Sequence, residues 1–191
     1  VVNLPGYHPE RALEIDQDSV EQAVKLINQS RKPVILAGQG CMISRAGDEL
    51  LKLSRTLGCP VTTTQLGKGV IPETDEHSLG MLGMHGTYEA NMAMYDCDVM
   101  LAVGARFDDR VTGDLTKFSP NSTIIHVDVD PSSIGKNVSV EVPIVGEAAP
   151  VLREMLSIVT ARKADGVVPD IGQWWDRIEE WRAFKSFEYC L

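Results

Sequence analysis

The chain has 191 residues, 43% of them hydrophobic and 24% charged, with 18 Lys and Arg against 27 Asp and Glu and a formal net charge of −9. This balance is typical of a globular protein and excludes collagen, coiled-coil and intrinsically disordered classes. The acidic charge argues against nucleic-acid binding, which needs a basic face for the phosphates. No apolar run reaches the roughly 18 residues that cross a bilayer, so we expect no membrane association.

Helices and strands are predicted to alternate along the chain. Residues 1–18 are polar and typical of an incoming linker, and helical spacing of apolar residues predicts a helix over 19–29, with Ser19 and Gln22 as a capping box. Short apolar or β-branched runs closed by glycine or proline predict strands, and longer amphipathic runs predict helices. The predicted strands are 33–37, 61–64, 99–103, 123–129 and 142–145, and the later helices are 45–57, 87–95, 148–159 and 173–187. The remaining segments include a glycine-rich loop over 80–86 and a polar connector over 162–170.

The four cysteines stand at positions 41, 59, 97 and 190. None belongs to a C-x-x-C pair or has a histidine at ligand spacing, so a zinc site is not expected. Cys59 and Cys97 lie in apolar sequence beside predicted strands, where free thiols pack as small hydrophobic groups. We therefore expect reduced, buried thiols in a cytoplasmic protein.

Apolar strands that alternate with helices are typical of a parallel sheet covered on both faces. We therefore predict a doubly wound, mainly parallel, Rossmann-like α/β fold with helices on both faces. In such folds, ligands bind at the carboxyl ends of the strands, so the residues that follow each predicted strand are the candidate site.

Glycine, arginine or carboxylate residues follow most of the predicted strands, and together with the turn before the helix at 87–95 they fit a nucleotide site. Glycines let a ligand approach the backbone, arginine binds phosphate or stacks on a ring, and a strand-end carboxylate accepts hydrogen bonds from ribose. The helix after Gly86 offers its N-terminus to a pyrophosphate. The segments are 38–40, 64–66, 83–86, 104–110, 128–130 and 146–147.

Each of these features also has an ordinary structural interpretation. The Gly38 turn is not a complete G-x-G-x-x-G motif, His126 lies within a predicted strand, and the Trp174 to Trp181 stripe is typical of helix packing. No G-x-S-x-G, H-E-x-x-H or P-loop motif occurs. The residues therefore predict a binder of a large nucleotide, without catalytic residues of its own.

Three segments carry a family resemblance. They are Leu-Gly-Met-His-Gly-Thr-Tyr-Glu-Ala-Asn over 82–91, Gly-Ala-Arg-Phe-Asp-Asp-Arg-Val-Thr-Gly over 104–113, and His-Val-Asp-Val-Asp with Ile-Gly-Lys-Asn over 126–137. Together they resemble the large catalytic subunit of acetohydroxyacid synthase, also called acetolactate synthase, a thiamine-diphosphate enzyme. The likeness runs from about Leu4 to about Leu191 and covers the central domain of that family.

The resemblance implies a function for the whole enzyme. It joins two pyruvates, or pyruvate and 2-oxobutyrate, with loss of CO2, in branched-chain amino-acid biosynthesis. Thiamine diphosphate and magnesium lie between flanking domains, whose activating Glu region and G-D-G…N motif are not found in this chain. Because the chain also begins with Val1, we expect it to be part of a longer protein and inactive alone.

The resemblance also implies that the central domain holds an extended FAD with a largely structural role. The cofactor-binding positions are Gly38, Gln39, Gly40, Thr64, Gln65, Leu66, Leu82, Gly83, Met84, His85, Gly104, Ala105, Arg106, Asp108, Asp128, Val129, Gly146 and Glu147. Met84, Asp109 and Arg110 match positions facing the substrate channel, and Arg110 is suited to the carboxylate of the second 2-oxo acid. The first loop departs from the family because Gln39 stands where small residues are expected.

Domain organisation and partners follow from the same resemblance. We expect an incoming linker over 1–18, a central FAD-binding α/β domain over 19–161, and a connector and helix over 162–191 that lead to a thiamine-diphosphate domain. The flanking domains, a homo-oligomer and possibly a small regulatory subunit are the expected partners. Two alternatives stay open: the central domain of another thiamine enzyme that binds ADP, CoA or nothing, and a non-catalytic nucleotide-binding module.

Overall fold

The computed structural model describes residues 14–166 and 169–184 of the chain. Most of the expected linker, part of the polar connector, Cys190 and the predicted helical residues beyond 184 lie outside the described residues. The described residues contain six strands: β1 Pro33–Ala37, β2 Val61–Thr63, β3 Ser78–Met81, β4 Val99–Val103, β5 Thr123–Asp128 and β6 Val142–Val145. The helices are α1 Gln17–Gln29, α2 Gln39–Ile43, α3 Gly47–Leu57, α4 Tyr88–Asp96, α5 Asp109–Thr112, α6 Ala148–Ala164 and α7 Gly172–Arg182.

The strands form one parallel sheet in the order β3-β2-β1-β4-β5-β6. The chain starts in the middle, winds outward to β3, and then crosses back to β4 on the other side of β1. This reversal between β1 and β4 is the switch point at which open α/β sheets bind ligands. The predicted doubly wound α/β fold is confirmed.

Both faces of the sheet are covered by helices, as the apolar strands require. Alternate residues of β1 point to opposite sides, so Ile35 packs into a core with α1, α3 and α6, whereas Leu36 packs into a second core with α4 and α7. Leu36, Leu50 and Leu53 are fully buried. Burial of such a side chain stabilises the fold by about 1.5–3 kcal/mol.

Several predicted boundaries are wrong. Helix α1 begins at Gln17 because Asp16 caps it, and the Ser19 hydroxyl donates to Asp16 Oδ2 at 2.6 Å in place of the predicted capping box. Helix α3 begins at Gly47, since Arg45 has a φ of 53°. Helix α6 continues to Ala164, beyond the predicted end at 159. The apolar pattern used for the prediction stops at 159 because the last turn of the helix is largely exposed.

Four elements were not predicted, one of them a single 3-10 turn over Gln65–Gly67. Strand β3 begins the segment interpreted as a glycine-rich loop, and its Gly80 has a φ of 76°. Helices α2 and α5 contain five and four residues, too few for a periodic pattern.

The aromatic stripe of α7 packs against the sheet, as predicted. Trp174 and Trp181 meet edge to face at 5.5 Å, and the Trp174 indole donates to the Pro33 carbonyl at 3.1 Å. Trp175 likewise donates to the Gly58 carbonyl at 2.7 Å. No described helix combines the length and apolar character needed to cross a membrane.

Candidate functional site

A cleft of about 570 Å³ lies at the carboxyl edge of the sheet. The segments that follow five neighbouring strands, β2, β1, β4, β5 and β6, meet there because parallel strands end at the same edge. The lining residues are Gln39, Gly40, Ile43, Ser44, Thr64, Gln65, Leu66, Gly104, Ala105, Arg106, Phe107, Asp108, Arg110, Val111, Val127, Asp128, Val129, Gly146, Glu147 and Ala148. Most of the predicted cofactor positions are thus brought together.

The turns after β1 and β4 touch each other at the floor of this cleft. A Cβ on Gly38 would lie 2.1 Å from the Gly104 carbonyl oxygen, and a Cβ on Gly40 would lie 2.6 Å from the Gly104 Cα. Gly104 itself has a φ of 59°. These glycines are required first for backbone packing, and Gly38 is buried and does not line the cleft.

The same packing uses most of the backbone donors of the first turn. The Gly38 amide donates to the Val103 carbonyl at 2.9 Å, and the Gly40 amide donates to the Gly104 carbonyl at 3.1 Å. The Cys41 amide donates back to the Gly38 carbonyl at 3.1 Å. Within the described chain, Gln39 is therefore the residue of this turn whose amide has no protein acceptor.

The first turn of α6 closes the cleft on its other side. The Ala149 amide donates to Ser44 Oγ at 2.9 Å, and Pro150 has no amide hydrogen. Glu147 is the residue before the helix and carries an exposed carboxylate. This helix end therefore offers few amides to an anion.

Two arginines from the segment after β4 enter the cleft. Arg106 and Asp108 form an ion pair of 3.0 Å in which both side chains are more than half exposed. Such a pair contributes about 0–1 kcal/mol, so a ligand can displace it. Arg110, at the start of α5, is exposed and makes no ion pair with the described residues.

A buried histidine lies beside the carboxylate at the end of β5, without a hydrogen bond to it. Asp128 is 8% exposed, and its Oδ1 accepts from the Asp130 amide at 2.9 Å. Its Oδ2 lies 4.0 Å from Nε2 of His126, which is buried and meets Phe107 edge to face at 5.1 Å. Burial lowers the pKa of His126 despite the opposing effect of Asp128. His126 is therefore part of the core, as its strand position predicted.

Exposed apolar side chains stand along the rim of the cleft. Ile43 is 76% exposed, Leu66 59% and Val129 56%. Large apolar side chains left in water beside a cleft mark a binding site for a ligand with apolar parts.

The segment after β3 lies outside this cleft. Leu82 lines a separate cavity of about 190 Å³, and Gly83 packs against α5, where an added Cβ would lie 2.5 Å from the Arg110 carbonyl oxygen. Met84 is 69% exposed, and His85 is also exposed. Asp109, the first residue of α5, does not line the cleft either. The roles predicted for these residues stay predictions.

The helix expected to receive a pyrophosphate, α4, is capped by its own Thr87. The Thr87 hydroxyl oxygen accepts from the Ala90 amide at 3.2 Å and donates to the Leu79 carbonyl at 2.6 Å. None of the α4 residues lines the main cleft. The Ala90 amide, at the helix end that the sequence predicted to bind pyrophosphate, thus already has a partner within the protein.

The described cysteines are all buried and free. Burial raises the pKa of Cys41 and of Cys97 to about 12, so neither is a thiolate near neutral pH. Among the described residues, no group of three or more His, Cys, Asp and Glu side chains is placed to hold a metal ion.

Sequence reasoning missed five lining residues: Ile43, Ser44, Val111, Val127 and Ala148. Val127 and Ala148 adjoin predicted site residues, so a wider window around each strand end would have included them. Ile43 and Ser44 lie at the end of a helix too short to predict, and no sequence signal marks them.

Comparison with known proteins assigns this chain to a family. Residues 20–155 match the family model for the thiamine pyrophosphate enzyme, central domain. The chain therefore belongs to the thiamine pyrophosphate enzyme family and contains its central domain.

The curated relatives are more specific. The chain is 43% identical over 188 residues to the acetolactate synthase large subunit of Buchnera aphidicola from Schizaphis graminum, covering 98% of this chain and 32% of the relative. It is 49% identical over 179 residues to the probable acetolactate synthase large subunit of Methanocaldococcus jannaschii, covering 94% and 29%. It is 40% identical over 188 residues to the isozyme 3 large subunit of Escherichia coli, covering 98% and 32%. The chain spans about a third of the length of these relatives.

Proposed function

We propose that this chain is the central domain of an acetolactate synthase and that its cleft binds FAD in an extended form. The supporting observation is the cleft itself, where the segments that follow five adjacent parallel strands bring apolar, cationic and carboxylate side chains together. At about 4.8 Å between strands, this edge is roughly 19 Å across and suits an elongated dinucleotide.

The lining groups change in character along the strand order. Thr64 and Leu66 follow β2, Arg106 follows β4, and Asp128 and Val129 follow β5. This order suits an extended molecule with a ring system at one end, a diphosphate near the arginine and a ribose near the Asp128 carboxylate.

The proposed activity of the whole protein is the condensation of two pyruvates, or of pyruvate and 2-oxobutyrate, with loss of CO2. Thiamine diphosphate, with magnesium, supplies the carbanion chemistry from the flanking domains, and FAD has a structural role. Here the Arg110 guanidinium, which has no ion pair among the described residues, is suited to orient the carboxylate of the second 2-oxo acid. We expect no acetolactate from this chain alone, and measurable turnover would contradict that assignment.

The partners proposed are the flanking domains, a second copy of the full protein and a small subunit. The last is suggested by the relatives, which are named large subunits. Buried free thiols are consistent with a cytoplasmic location, where thiols stay reduced.

Titration of the purified chain with FAD, read by thermal shift and by flavin fluorescence, tests the cofactor assignment. FAD is expected to raise the unfolding midpoint with concentration, and ADP or CoA to raise it less at equal concentration. No shift with FAD, or a larger shift with CoA, would contradict FAD binding and favour another thiamine enzyme.

A further inference from the structure

The turn after β1 lies at the switch point, yet it has little backbone to offer a ligand. Its Gly38, Gly40 and Cys41 amides all donate to carbonyl groups within the protein. In a phosphate-binding glycine turn, such amides point at the anion. Any hydrogen bond that this turn donates to a ligand must therefore come from Gln39.

Gln39 is well placed for this role. It is exposed, lines the cleft, and its carboxamide has no hydrogen-bond partner among the described residues. Because Gly40 donates to Gly104, the Gln39 turn lies directly against the segment that carries Arg106.

Charge distribution identifies the part of the ligand that Gln39 meets. The cations of the cleft, Arg106 and Arg110, come from the segment after β4, beside the Gln39 turn. On that segment Asp108 is paired with Arg106 at 3.0 Å, an exposed pair that a ligand can displace. The carboxylates of Asp128 and Glu147 follow β5 and β6, further along the edge. An anionic group bound by the arginines would therefore lie next to the Gln39 carboxamide.

The geometry points to Gln39 as a binding residue whose side-chain N–H donates to the diphosphate of the bound dinucleotide. This inference rests on the proposed FAD function and makes it specific. The carboxamide replaces the backbone donors that the Gly38–Gly104 contact consumes.

Two substitutions at this position separate a phosphate contact from other contacts. Gln39→Ala removes the donor, and loss of one hydrogen bond to a charged group is expected to raise the Kd for FAD about tenfold or more. Gln39→Glu keeps the size of the side chain but turns a donor into an anion facing the diphosphate. It is expected to raise the Kd at least about tenfold beyond Gln39→Ala, with a difference that narrows as salt is added.

Folding is not expected to limit this experiment. Gln39 is exposed at the first position of α2, where an acidic side chain is favourable to the helix. Gln22→Glu, at an exposed position of α1, introduces the same charge away from the cleft and should leave the Kd unchanged.

The outcomes distinguish this inference from the function on which it rests. If the unchanged chain does not bind FAD, the proposed function fails and the inference with it. If the chain binds FAD and Gln39→Ala changes the Kd less than twofold, only the role of Gln39 is overturned. Binding by Gln39→Glu as tight as that of the unchanged chain would show contact with a hydroxyl or ring donor and would also overturn it.

Discussion

Replacing Gly38 with alanine should separate the two turns that form the floor of the cleft. The added Cβ would lie 2.1 Å from the Gly104 carbonyl oxygen and 2.7 Å from the Ala105 Cα, both rigid backbone atoms. Carbon and oxygen normally approach to about 3.3 Å, so one turn must move by about 1.2 Å from the present 2.1 Å.

That movement breaks two backbone hydrogen bonds between the turns. The Gly38 to Val103 bond of 2.9 Å and the Gly40 to Gly104 bond of 3.1 Å would both lengthen beyond useful range. Each contributes about 1 kcal/mol, and overpacking adds about 1–3 kcal/mol. We therefore expect the free energy of unfolding to fall by about 3–5 kcal/mol, a large part of the stability of a domain this size.

Urea unfolding followed by circular dichroism measures this loss. Gly172→Ala is the matched control, because nothing lies within 4 Å of the added Cβ at the start of α7. Its stability should be unchanged or higher by up to about 1 kcal/mol. A loss below about 1 kcal/mol for Gly38→Ala would refute the proposed close packing.

Three further predictions concern single side chains. Burial lowers the pKa of the His126 imidazole in the folded protein. As pH drops, His126 is therefore protonated in the unfolded chain before it is protonated in the folded one, and the free energy of unfolding should fall below about pH 6.5. Urea unfolding near pH 7.5 and near pH 5.5 should show a smaller pH effect in His126→Gln, and an equal effect would contradict this. Thr87→Ala removes the cap on the Ala90 amide and should cost about 1 kcal/mol, whereas an unchanged urea midpoint would count against the cap. If Arg110 has the proposed role, Arg110→Ala in the full-length protein should lower kcat/KM for the proposed 2-oxo acid substrate while stability changes by less than about 0.5 kcal/mol. A loss of stability of several kcal/mol would instead make Arg110 a structural residue.

The sequence predicted those parts of the fold that depend on local patterns. Strands such as β4 are continuous apolar runs because both faces of the sheet are covered, and their ends were found within one residue. Gly58, with a φ of 71°, ends α3 as expected. Strand β3 was missed because it lies at the sheet edge, is partly exposed and contains Gly80.

The cleft was predicted in place but not in detail. Strand-end loops of a parallel sheet share one edge, so positions such as Gly40, Arg106 and Asp128 could be grouped from sequence alone. Which backbone amides are already bonded within the protein could not be predicted from sequence. That depends on the contact between Gly38 and Gly104, which are 66 positions apart in the sequence. For the same reason, the glycines looked like a ligand cradle although they mainly serve packing.

A crystal structure of the chain grown with FAD tests the central claim most directly. The cofactor is expected to lie along the carboxyl edge of the sheet, with its diphosphate beside Gln39 and Arg106 and its adenosine ribose beside Asp128. FAD bound at another surface, or a cleft left empty at saturating FAD, would contradict the assignment of this edge as the cofactor site.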